Sequence, residues 1–136
     1  MWWVRVASAL ALLQGAGHGF LVMSWKPTRG DLEVAAVEAM KRHAFIFQGF
    51  SRTYWDFFYG YGLMAAFNCL VEAALLWQLA PLMTSDIGRV VPIVLLFIAA
   101  NVVHAALCWK YFFITPIVFD VAVAVCLGLS LTASRR

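Results

Sequence analysis

Apolar residues in this chain fall into four long runs, at about residues 2–25, 54–79, 87–109 and 116–132. Each is within or near the ~17–25 residues that a helix needs to cross a bilayer. The pattern predicts an all-α integral membrane protein, a four-transmembrane-helix bundle that fills the chain as one domain. The longest connection is patterned as well. Leu32, Ala36, Met40, His43 and Phe47 recur at helical spacing, opposite Glu33, Glu38, Lys41 and Arg42. An amphipathic helix is therefore expected over 31–48, lying on the membrane surface between spans 1 and 2. Asp31 is placed to start it, Gly49 to end it, and Glu38 to pair with Arg42 one turn on.

The ends of the runs carry their own signals. Trp2, Trp3 and Trp77 mark one membrane interface, and Trp25, Trp55 and Trp109 the other. Thr53 with Asp56 reads as a capping box for span 2, Thr84-Ser85-Asp86 as the cap of span 3, and Thr115-Pro116 as the opening of span 4. Gln14 and His18 interrupt the first run, and no small-x-small site precedes a polar start, so it reads as a retained span rather than a signal peptide. Four spans put both termini on one side. The basic tail favours the cytoplasm for them, although Lys26, Arg29, Lys41, Arg42, Arg52 and Lys110 gather on the opposite side.

Polar residues inside the runs suggest where chemistry would sit. Asp56, Gly60, Met64, Asn68 and Glu72 repeat every four residues, a stripe expected to face other helices or a wet cavity. Gln14 and His18 share a face of span 1, Asn101 and His104 a face of span 3, and Asp120 stands one turn into span 4. Counting inward at ~1.5 Å per residue puts His18, His104 and Asp120 about 8–10 Å deep from the same interface. The same count leaves Asp56 at the rim and Glu72 beyond the midplane. A His104–Asp120 pair is expected to orient the imidazole for proton transfer, with Asp56 or His18 completing a relay.

The candidate catalytic residues are thus His18, Asp56, His104 and Asp120. Gln14, Asn68, Glu72, Asn101, Trp55 and Tyr59 are the candidate ligand contacts. Neighbouring aromatics (Phe57, Phe58, Tyr61, Phe112, Phe113) would suit a flat, greasy ligand, although aromatics in membrane spans more often serve plain packing. Asp56 has a structural alternative as a helix cap, Glu72 as a partner for Gln14 or Asn68, and His18 as a buried imidazole bonded to a carbonyl.

Composition sharpens the class. A chain 64% hydrophobic and 12% charged is no ordinary soluble domain. Its net charge of +3 is scattered, which argues against nucleic acid as a partner. Cys69, Cys108 and Cys126 stand alone without a Cys-x-x-Cys, read as small packing residues, and no metal site is expected from them. Hydrolase nucleophile motifs and phosphate-binding loops are missing from the sequence. The leading reading is a pocket within the membrane for a lipophilic small molecule, with acid–base isomerase or cyclase chemistry and no cofactor. A non-catalytic accessory subunit is the alternative, with membrane lipid, a second copy or a partner subunit around it. Ligation of b-type haem by His18 and His104 is the second alternative.

Gly17-His18-Gly19, the amphipathic connector, Trp55-Asp56-Phe57 with Gly60 and Gly62, and a final helix opened by Pro116 carry a resemblance. Together they resemble small bacterial four-span membrane proteins that are distantly DoxX-like. In plan the chain is also similar to EXPERA-type sterol isomerases, which use acidic and histidine side chains in a membrane cavity. The resemblance implies the four-span fold and a place in the bacterial inner membrane, and assigns no catalytic residue.

Overall fold

A computed structural model describes residues 2–133. Four helices in it are long and apolar enough to cross a membrane: α1 (Trp2–Ser24), α3 (Tyr54–Ser85), α4 (Ile87–Tyr111) and α5 (Ile114–Ala133). The short amphipathic α2 (Asp31–Arg42) lies between the first two spans. Spans alternate in direction, and each helix is joined to the next in space by side-chain packing. α1 packs against both α3 and α5, and α5 against α4, whereas α3 and α4 touch only sparsely. The bundle is therefore a ring with one loose seam.

Small residues set the tightest contact. Ala7, Ala11, Gly15 and Gly19 repeat every four positions on the buried face of α1, and Ala66, Ala73 and Ala80 every seven on α3. Rows of this kind let two backbones close up in lipid, where helix association rests on packing. At Gly15 a Cβ would stand only 3.0 Å from the Ala66 carbonyl oxygen and from Cys69 Cβ. Ser8 adds a hydrogen bond across the same interface, Oγ to the Ala73 carbonyl at 2.7 Å. Below this level, on the side of the chain termini, Val4, Ala7, Leu76, Ala80, Met83, Val90, Val94, Val123, Cys126 and Leu127 form a dry core.

The face that α3 buries departs from the expected one. The Asp56–Glu72 stripe does not turn inward: Asp56, Met64 and Asn68 are exposed, and only Glu72 meets another helix. The alanine row faces α1 instead, because close backbone packing there buries more than the polar stripe would.

The connection between α1 and α3 differs too. The helix stops at Arg42, not near residue 48, and a two-stranded antiparallel hairpin follows, β1 (Ala44–Phe47) with β2 (Phe50–Thr53). Gln48 and Gly49 form its two-residue turn with φ of 49° and 85°, the positive values that match the twist of a hairpin. Gly49 thus serves the turn, not a helix end. The fold is all-α apart from this hairpin. Glu38 does pair with Arg42, at 3.7 Å, and with Lys41. Asp31 opens α2 without capping it; Glu33 folds back and accepts from the Thr28 and Arg29 N–H groups.

Helix ends follow from local chemistry. Thr53 and Asp56 make a reciprocal capping box at the start of α3, with bonds of 3.1 and 2.8 Å. α3 then runs through Pro81 to Ser85, longer than the hydropathy suggested, and Asp86 alone separates it from α4. Asp86 pairs with Arg89 at 3.4 Å without capping through its side chain. α5 begins at Ile114, so Thr115 is already helical and Pro116 sits in the first turn, where a missing N–H breaks no helical bond.

Candidate functional site

The upper half of the bundle, toward the long connection, gathers charged and amide side chains, where the lower half is packed mainly with apolar ones. On α4, Asn101, His104, Ala105 and Cys108 share one face, since they are three, four and seven positions apart. α5 turns Asp120 into the bundle, α1 brings Gln14 and α3 brings Glu72.

Asp120 is the fixed point. Its side chain is 3% exposed, and both carboxylate oxygens are engaged. Gln14 Nε2 donates to Oδ1 at 3.1 Å, and His104 Nδ1 meets Oδ2 at 2.8 Å. A buried carboxylate left without such partners would cost several kcal/mol. The His104 ring is held at one nitrogen and remains about half exposed, its side chain 49% accessible at the surface of the bundle. The sulfur of Cys108, one turn along α4, lies 3.8 Å from the other nitrogen, Nε2.

A second pair ties the loose seam. Asn101 is buried and spends both hydrogens of its amide, one on Glu72 Oε1 at 2.6 Å and one on the Phe97 carbonyl at 3.0 Å. Since Asn101 and His104 are one turn apart, the two pairs form a continuous band, Gln14–Asp120–His104 and Asn101–Glu72, with a member from every span.

The structure thus brings together Gln14, Glu72, Asn101, His104 and Asp120. Glu72 joins the group although the count along the chain placed it past the midplane. It stands ~27 Å along α3 and Asn101 ~15 Å back from the end of α4, so α3 begins ~12 Å above the end of α4. Its partner is Asn101, not Gln14 or Asn68.

Other candidates lie elsewhere. Asp56 is about four helical turns, or ~24 Å, from Glu72 and is occupied by the capping box, so it cannot complete a relay with His104. Asn68 is exposed, and its side chain forms no hydrogen bond among the described residues. Trp55 and Tyr59 stack on each other, with Trp25, Phe58 and the Lys41 ammonium around Trp55, at the projecting start of α3. Phe45, Phe47, Tyr54 and Phe57 pack the hairpin onto the same projection. These aromatics are a collar, not a lining for the dyad. His18 lies one turn above Gln14 on α1. Its Nε2 is buried without a hydrogen-bond partner among the described residues, so the expected bond to a carbonyl does not form there.

Two open concavities lie toward the long connection, one of them beside the band. One, of about 190 Å³, is lined by Cys108, Trp109, Phe112, Phe113, Ile114 and Ile117, directly above His104 on α4. The other, about 330 Å³, runs along the α3 projection past Arg52, Asp56 and Phe57. Cys108 is the residue the sequence reading passed over. Its signal was the spacing His-x-x-x-Cys, which puts thiol and imidazole on one helix face.

No family model, curated protein or solved structure matches the chain.

Proposed function

We propose that this is an integral membrane protein that holds a lipophilic small molecule beside His104, with the His104–Asp120 dyad acting on it by proton transfer. One observation carries the reading: a carboxylate buried to 3% exposure is spent on aiming an imidazole that is itself half exposed. A buried acid behind a reachable histidine is the arrangement of a positioned general acid or base. The aromatic concavity above Cys108 offers apolar contact for a ligand, and the sparse α3–α4 seam offers a lateral way in. Isomerisation or cyclisation of a lipid-like substrate would need no more than such a proton donor and acceptor.

A second reading, a non-catalytic subunit, is favoured by a different observation. Glu72 and Asp120 each already have a partner within the chain, so the band alone can serve to hold four helices together.

Native mass spectrometry of the detergent-solubilised protein, followed by lipid extraction, separates the two. The pocket reading expects one defined lipophile on the wild type and its loss from a folded His104→Leu/Asp120→Leu double variant. A wild type carrying only bulk lipid, or a double variant that retains the lipophile, overturns it.

A further inference from the structure

A third ligating atom stands beside the dyad. Cys108 Sγ lies 3.9 Å from His104 Nδ1, and Nδ1 lies 2.8 Å from Asp120 Oδ2. One ligand atom from each of the three residues falls within 4.8 Å of the others. Around a tetrahedral ion with bonds of ~2.0–2.3 Å, neighbouring ligand atoms stand roughly 3.3–3.6 Å apart. The nitrogen and oxygen would have to part by about half an ångström, and the sulfur to approach the nitrogen by less and the oxygen by up to about 1.3 Å, a closure that takes a rotation of the Cys108 side chain.

Among the described residues neither Asp120 nor Glu72 pairs with a lysine or arginine, so no fixed cation competes for the Asp120 carboxylate.

We propose that His104, Cys108 and Asp120 form a binding site for one divalent transition-metal ion of the zinc class. Cys108 ligates as thiolate, releasing its proton to solvent. Asp120 ligates through Oδ2, and the neutral imidazole through Nδ1, its single proton then residing on Nε2. One doubly charged cation with one thiolate and one carboxylate leaves no net charge at the centre, which suits a position inside the bilayer. A thiolate among the ligands selects against magnesium and calcium, which take oxygen. Gln14 remains on Oδ1, the outer hydrogen bond that orients a ligating carboxylate. Three protein ligands leave a fourth position open, as in catalytic rather than structural zinc sites. An ion bound here takes Nδ1 and Oδ2 away from the dyad, so proton transfer by the dyad belongs to the metal-free protein, and the site stands whether or not a lipophile binds beside it.

The test is a titration of the full chain in detergent, stripped with chelator, using Co²⁺ as the spectroscopic probe and Zn²⁺ as competitor. One equivalent of Co²⁺ is expected to give thiolate-to-metal absorption in the near ultraviolet and tetrahedral bands in the visible, both erased by Zn²⁺. Cys108→Ser removes the thiolate band, whereas Cys69→Ser and Cys126→Ser leave it unchanged. Gln14→Leu weakens binding by about ten- to a hundredfold. Should Cys108→Ser fail to fold, Asp120→Asn, close to its parent in shape, takes its place and is expected to lose the visible bands. A folded wild type without the thiolate band, or one whose band survives Cys108→Ser or disappears with Cys69→Ser, overturns the site. Lipophile retention is scored on Cys108→Ser in parallel. Retention without metal shows the pocket independent of the ion, so failure of either reading is seen separately.

Discussion

Gln14 and Asp120 are 106 positions apart in the chain, yet the glutamine amide donates to the aspartate Oδ1 at 3.1 Å. That bond closes the circuit between the first and last spans and satisfies the carboxylate oxygen that His104 does not reach. Removing it should strand a buried acceptor rather than merely subtract a contact. Gln14→Leu is expected to cost about 1–3 kcal/mol. The check is melting temperature in one detergent, and a Gln14→Leu protein as stable as its parent would show that Oδ1 finds another donor.

The dyad makes a sharper prediction. His104→Leu alone leaves Asp120 buried with only Gln14 and should cost about 3–5 kcal/mol. Asp120→Leu leaves a half-exposed imidazole and should cost less. The double replacement removes the charge altogether and should recover much of the loss, so the single effects are expected to be non-additive. Strict additivity in a double-mutant cycle would mean that the two residues do not interact in the protein as it stands in lipid or detergent.

Backbone approach between α1 and α3 can be probed by a single methyl. Gly15→Ala places a Cβ 3.0 Å from the Ala66 carbonyl oxygen and Cys69 Cβ, whereas at Gly17 a Cβ meets nothing within 4 Å. Gly15→Ala is expected to destabilise by about 1–3 kcal/mol through overpacking. Gly17→Ala should be neutral or mildly stabilising, since alanine favours the helix. Equal melting temperatures for the two variants would contradict the close packing at Gly15.

Asp56 separates a cap from a catalyst. Its carboxylate accepts from the Thr53 N–H at 2.8 Å while its own N–H donates to Thr53 Oγ1 at 3.1 Å. Asp56→Ala is expected to loosen the first turn of α3, read as faster amide exchange there, and to leave any bound lipophile in place. Loss of the lipophile with unchanged exchange would return Asp56 to the site.

Much of this arrangement was legible from the chain, and the failures have local causes. Hydropathy located the spans because lipid tolerates little else, and matching depths paired His104 with Asp120. Depth failed for Glu72 because the count began at Thr53, whereas α3 starts well above its neighbours. The hairpin was hidden because His43 and Phe47 happen to continue the helical spacing of Leu32, Ala36 and Met40. Gln48-Gly49 is also a weaker turn signal than Asn-Gly. Cys108 was missed because each cysteine was weighed alone instead of with the histidine one turn before it.

The loose contact between α3 and α4 has a consequence for supply. A molecule that reaches His104 through that seam comes sideways out of the leaflet and never crosses the headgroups at the moment of binding. The rate of loading then follows the mole fraction of solute dissolved among the acyl chains, so a modest rise in its oil–water partition coefficient should speed delivery. Adding lipid to vesicles of the same protein, at constant total solute, should slow loading in proportion to the fall in that mole fraction.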